Sequence, residues 1–139
     1  LQIVRITNNN ARVAAYLSLL STLIILVIPG PVIDWLVLWA YQWWPWPSSG
    51  LASGSISIDK FIHAVLFAVC GALIVKGWME QIGRWQWVFL SLMGYAMFTE
   101  FLQLFVPGRG ASVGDLLADC IGAGIGMFWA FRFFRPTFE

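Results

Sequence analysis

Asp59, Lys60 and His63 fall in one short stretch of the chain. Glu100 with Gln103, then Arg109, then Asp115 with Asp119 follow at intervals further on. These are the residue types of general acid–base chemistry. Glu100 or His63 could act as the base, Asp59 could orient His63, and Asp119 is a further candidate acid. Arg109 could hold a phosphate or carboxylate through its planar fork, with Lys60 and Gln103 as additional binding donors. Alternatively, the acids could bind a divalent cation with His63. Asp59 and His63 are four apart, as are Asp115 and Asp119, so each pair shares one face of a helix; Glu100 and Gln103, three apart, do likewise. The chain carries no serine-centred nucleophile motif, no phosphate-binding glycine loop and no His-rich ligand set. The enzyme reading therefore rests on polar clustering alone, and no cofactor or resident metal is expected.

The elements that must carry these residues are set by composition. The chain has 139 residues, of which 60% are hydrophobic and 11% charged, against roughly 25% charged in a soluble domain. Its net charge of +1 offers no field for an anionic polymer. A soluble monomer, a disordered chain and a nucleic-acid binder are excluded on these grounds. The remaining class is an all-α polytopic membrane protein, a single domain over 1–139. Nine Trp, eleven Phe and thirteen Gly fit that class, because amphipathic aromatics sit at bilayer interfaces and Gly is frequent where membrane helices pack. Cys70 and Cys120 both lie in apolar runs and read as small buried hydrophobes.

Four apolar runs predict four spans: Val13 to Ile28, Phe61 to Val75, Trp85 to Phe105, and Leu116 to Phe134. Pro29-Gly30-Pro31 should end the first. Between the first two runs, Val32 to Pro47 is too short and too interrupted by Asp34 to span. Its Trp35, Trp39 and Trp43 recur every four residues, which predicts an interfacial helix anchored by indoles, with Trp44 and Trp46 beyond it. Ser48 to Ser57 reads as a loop. Four spans with a cytoplasmic N-terminus place Arg5, Arg12, Lys76, Arg84, Arg132 and Arg135 inside, and Lys60 and Arg109 outside. That split of basic residues favours both termini in the cytoplasm.

This topology gathers the polar residues at the outer ends of three spans. At ~1.5 Å rise per residue, His63 and Asp119 lie only ~6 Å deeper than Asp59 and Asp115. Ionisable groups in spans usually face the bundle interior and pair with one another. The expectation is that Arg109 caps the cluster, contacting Glu100, Asp115 or Asp119, and that His63 hydrogen-bonds one acid. A proton or ion path is disfavoured, because the inner halves of the spans carry no ionisable residue until the interface. Along the fourth span Gly114, Ala118, Gly122, Gly126 and Ala130 form a ridge of small side chains, expected to pack against another helix.

The ordered set Asp59-Lys60-x-x-His63-x-x-x-Phe67, Glu100-x-x-Gln103, Pro107-Gly108-Arg109 and Asp115-x-x-x-Asp119-x-x-Gly122-x-x-x-Gly126 resembles the VanZ-like family of small bacterial membrane proteins, named after an accessory protein of teicoplanin resistance. The resemblance spans roughly residues 58–127. Asp119 departs from it, standing where the family pattern typically has Asn. The resemblance implies a protein of the bacterial cytoplasmic membrane. Two functions remain open. One is a non-catalytic accessory component, its polar cluster stapling the helices and its partners being membrane lipids and a larger membrane complex. The other is an enzyme acting on a lipid or lipid-linked cell-envelope substrate at the outer leaflet.

Overall fold

The computed structural model describes residues 2–43, 58–78 and 85–133. Within them the chain forms five helices: α1 (Gln2–Leu26), α2 (Gly30–Trp43), α3 (Ile58–Trp78), α4 (Trp85–Gln103) and α5 (Val113–Phe133). No strand occurs among the described residues. Trp44, Trp46, the expected loop from Ser48 to Ser57, Arg84 and Arg135 lie outside them.

The pattern of burial is the reverse of a soluble bundle. The inner face of α1 is Ala11, Ala15, Thr22 and Leu26; that of α4 is Leu92, Ala96, Thr99, Glu100 and Gln103. The outward faces carry the bulk: Leu17, Leu20 and Ile24 on α1, Phe61 and Val69 on α3, Phe98 and Phe101 on α4, and Ile121, Ile125 and Phe128 on α5. A helix sheds large apolar side chains outward only where its surroundings are as apolar as its core. Among the described residues three helical stretches, Asn9–Leu26, Asp59–Trp78 and Val113–Phe133, are long and apolar enough to cross a membrane. α4 has 19 residues but is less apolar, because it includes Gln86, Glu100 and Gln103.

The heart of the bundle is the parallel pair α3 and α5. Gly122 and Gly126 lie directly over the backbone of Ala64 and Ala68, so close that even a Cβ at either glycine would collide with a carbonyl oxygen. Gly71 repays the contact from the other side, where a Cβ would come within 2.8 Å of the Ala123 oxygen. Ala118 and Ala130 of the expected ridge are buried, while Gly114 meets the Lys60 side chain. The ridge therefore seats against α3, whose own small positions, Ala64, Ala68 and Gly71, complete the interface.

α1 and α4 run the other way. Tyr95 donates to the Leu19 carbonyl at 2.6 Å and Gln103 Nε2 to the Leu26 carbonyl at 3.0 Å, which aligns α4 with α1. Arg12 Nε donates to the Gly77 carbonyl at 2.8 Å, which sets the middle of α1 beside the end of α3. The Leu26 and Gly77 carbonyls are among the last of their helices and lack an intrahelical donor, so there a neighbouring helix supplies the cap. The middle of the bundle is apolar, with Phe67, Cys70, Leu92, Ala96, Ala123 and Met127 in one cluster.

α2 starts with Pro31 in its first turn, where a missing N–H leaves no helical bond unmade. The Gly30 N–H donates to the Pro107 carbonyl at 3.0 Å. Gly108, at a φ of 74°, packs its backbone against Gly30, and a side chain on Gly30 would meet the Gly108 oxygen. Trp35, Leu36, Leu38, Trp39 and Trp43 are all exposed.

Candidate functional site

Three helix ends and one turn converge at the end of the bundle where α3 and α5 begin. α3 contributes Asp59, Lys60 and His63; α4 ends there with Glu100 and Gln103; α5 starts there with Asp115 and Asp119. Asp59 and Asp115 stand in the first turns of their helices, where the macrodipole favours a carboxylate. The turn after α4 tightens through Leu104, Phe105 and Val106, each donating three residues back, and Gly108 then reverses the chain in a left-handed conformation.

The residues singled out by spacing do come together, in two layers. The inner layer holds His63 and Asp119, both 0% exposed, and Glu100, 6% exposed. His63 Nδ1 lies 3.0 Å from Asp119 Oδ1, which joins α3 to α5. Glu100 Oε1 is 3.9 Å from the same nitrogen, too far for a hydrogen bond. The other Glu100 oxygen accepts from the Ser112 backbone N–H at 2.6 Å. The outer layer is a pair of ion pairs. Lys60 Nζ is 2.7 Å from Asp115 Oδ1, and an Arg109 guanidinium nitrogen is 3.0 Å from Asp59 Oδ1.

Two expectations about partners are corrected. Arg109 does not contact Glu100, Asp115 or Asp119. Ser112 already occupies the Glu100 carboxylate, and Lys60 takes Asp115. The guanidinium instead reaches across the mouth of the bundle to Asp59, with Nε 3.4 Å from the Ile28 carbonyl. Nor is Asp59 the hydrogen-bond partner of His63; Asp119, one turn into α5, is. The expected hydrogen bond between His63 and one acid is present. Gln103 faces the end of α1 rather than the acids. Spacing also missed Ser112, because it acts through its backbone N–H, which no side-chain motif advertises.

Three buried side-chain atoms of the inner layer have no hydrogen-bond partner: His63 Nε2, Glu100 Oε1 and Asp119 Oδ2. His63, Glu100 and Asp119 can each point one ligand atom so that all three lie within 4.8 Å of one another; Asp59, His63 and Asp115 can do the same. Two further cavities are apolar and lie away from this site. One, of about 420 Å³, opens between α1, α3 and α4 and is lined by Tyr16, Trp78, Trp87 and Tyr95. The other, of about 390 Å³, lies between α4 and α5 beside Trp85, Phe89 and Phe128.

An inside-out helical bundle with one buried polar layer at its end defines a small membrane protein. The chain belongs to the VanZ/LLP1 family, which matches residues 5–135. The match takes in α1 and α2, well beyond the stretch that carries the polar motifs. No curated protein and no solved structure matches the chain.

Proposed function

We propose that the protein is a non-catalytic accessory component of a complex in the bacterial cytoplasmic membrane, a single domain over 1–139 whose polar layer staples four spans. The observation that carries this reading is that the charged residues are spent on one another across elements. Asp59 is paired with Arg109, Asp115 with Lys60, Asp119 with His63 and Glu100 with the Ser112 N–H. Such pairs fix which helix ends meet more than they add stability, since desolvation offsets most of the attraction in the buried ones and solvent screens the exposed ones. The surface left for lipids or a partner subunit is the exposed apolar face of each span together with α2.

The four-span topology has two supports. α3 and α5 are parallel neighbours, so the chain must return across the bundle between them, and α4 is the only described element available. The end of α1 and the start of α3 both meet Arg109, so the intervening chain makes an even number of crossings. α2, with 14 residues, is only ~21 Å long, short of the ~30 Å apolar core. It lies in the interface in this reading, with Trp35, Trp39 and Trp43 at headgroup level. Arg12, Lys76 and Arg132 sit at the end opposite the polar layer, which favours cytoplasmic termini.

The enzyme reading, on a lipid or lipid-linked envelope substrate at the outer leaflet, draws on the unpartnered atoms of the inner layer and the half-open Arg109–Asp59 rim. Affinity purification from native membranes in a mild detergent separates the two. A partner in fixed stoichiometry is expected. A solitary chain that carries a lipid headgroup at Arg109 would overturn the accessory reading.

A further inference from the structure

We propose that His63, Glu100 and Asp119 form a closed binding site for one divalent transition-metal ion, which ties α3, α4 and α5 together. The proposal is independent of whether the protein is an accessory subunit.

Charge arithmetic comes first. The polar end holds four carboxylates, Asp59, Glu100, Asp115 and Asp119, against two permanent cations, Lys60 and Arg109. Both cations are committed to the outer layer, one to Asp115 and one to Asp59. The inner layer is left with two carboxylates and one imidazole, all at least nine-tenths buried. Two negative charges in a low-dielectric interior are costly unless neutralised. One divalent cation supplies that charge in full, with His63 neutral.

Geometry comes second. Two ligand atoms held ~2.1 Å from one ion stand ~2.9–3.5 Å apart at ordinary coordination angles. His63 Nδ1 and Asp119 Oδ1 are 3.0 Å apart, and His63 Nδ1 and Glu100 Oε1 are 3.9 Å apart. Glu100 Oε1 needs only to close by about half an ångström. This oxygen and Asp119 Oδ2 are the buried carboxylate atoms that accept from nothing. If Asp119 binds through both oxygens, three side chains furnish four donors. Ligation at Nδ1 leaves the ring proton on Nε2. The second possible triad, Asp59 with His63 and Asp115, is less suited, because both its acids are already neutralised by cations.

Chemistry selects the ion. One imidazole nitrogen with carboxylate oxygens suits zinc, manganese, iron or cobalt; magnesium and calcium prefer an all-oxygen shell. The Ser112 N–H on Glu100 Oε2 is the kind of outer-shell bond that fixes a ligating carboxylate. A buried site without an open face reads as structural, not catalytic.

The test uses the full chain in mild detergent, loaded with divalent zinc, manganese or cobalt and then desalted. Elemental analysis is expected to find one zinc or manganese ion per folded chain, and cobalt to develop the visible bands of a nitrogen–oxygen site. A chelator should lower the melting temperature of the wild type, and re-adding metal should restore it. Asp119→Asn, Glu100→Gln and His63→Gln should each weaken binding by more than the ~10–100-fold typical of outer-shell changes, while Asp59→Asn and Asp115→Asn keep one ion per chain. A folded wild type that retains none of the three metals would overturn the proposal, whatever the variants do, and would leave protons shared among the three side chains. Undiminished metal in the three ligand variants would overturn it as well.

Discussion

Lys60 and Arg109 are the two permanent cations at the polar end, and each takes a carboxylate close to the surface. The Arg109–Asp59 pair sits at the rim, with the Asp59 side chain 46% exposed, so its coupling should be modest, about 0.5–1 kcal/mol. A double-mutant cycle of Arg109→Met with Asp59→Asn, read from melting in detergent, is expected to give that coupling. The same cycle with Glu100→Gln in place of Asp59→Asn should be additive. Coupling to Glu100 and none to Asp59 would refute the observed pairing. The membership of this cluster was legible in the sequence, because helical rise fixes the depth of Asp59, His63, Glu100, Asp115 and Asp119 once the spans are drawn. The partners were not. Who meets whom depends on how each helix is turned about its axis and on where a turn such as Pro107-Gly108-Arg109 aims its side chain. Neither quantity is set by spacing along one helix.

At the scale of helices, Gly122 and Gly126 of the four-residue ridge of α5 lie against the backbone of α3, because Gly and Ala at every fourth position on one face permit close approach. The complementary face of α3 carries the same signal in Ala64, Ala68 and Gly71, masked by the larger Phe67 and Cys70 between them. The contact is backbone on backbone, so the tolerance is small. Gly122→Ala or Gly126→Ala would drive a methyl into the Ala64 or Ala68 carbonyl, which no rotamer change relieves. Each should destabilise by about 1–3 kcal/mol or more, seen as a lower melting temperature or loss of the folded species in detergent. Gly94 of α4 is the control, since a Cβ there meets nothing within 4 Å. Gly94→Ala should be neutral or stabilising by up to ~1 kcal/mol. Equal tolerance at Gly94 and Gly122 would mean that α3 and α5 do not pack as described. Helix ends were less legible than helix faces. α1 stops at Leu26, ahead of the Pro-Gly-Pro signal, and Pro31 opens α2 instead of closing α1.

At the scale of the whole molecule, the two ends of the bundle differ in kind. The end where α3 and α5 begin holds the acids. The opposite end holds Arg12 against the Gly77 carbonyl and 5.4 Å from the Trp78 ring centroid, with Tyr16 edge-on to the same indole at 5.5 Å. A cation stacked on tryptophan at a helix end is a natural anchor at a headgroup boundary. In the topology proposed above, the positive-inside rule turns that basic end to the cytoplasm and the polar layer outward. Gly110 and Asn9 are exposed and stand at opposite ends, so they make a direct test. In a background with Cys70 and Cys120 replaced by Ala, cysteine at Gly110 should react with a membrane-impermeant thiol reagent on intact cells. Cysteine at Asn9 should react only after permeabilisation. The reverse pattern would invert the protein in the membrane and would set the inner polar layer towards the cytoplasm. Labelling of both sites from outside would mean an even number of crossings between them. That result cannot be reconciled with α1 running antiparallel to α3 and with both the end of α1 and the start of α3 meeting Arg109, because together these require Asn9 and Gly110 to lie on opposite sides of the membrane.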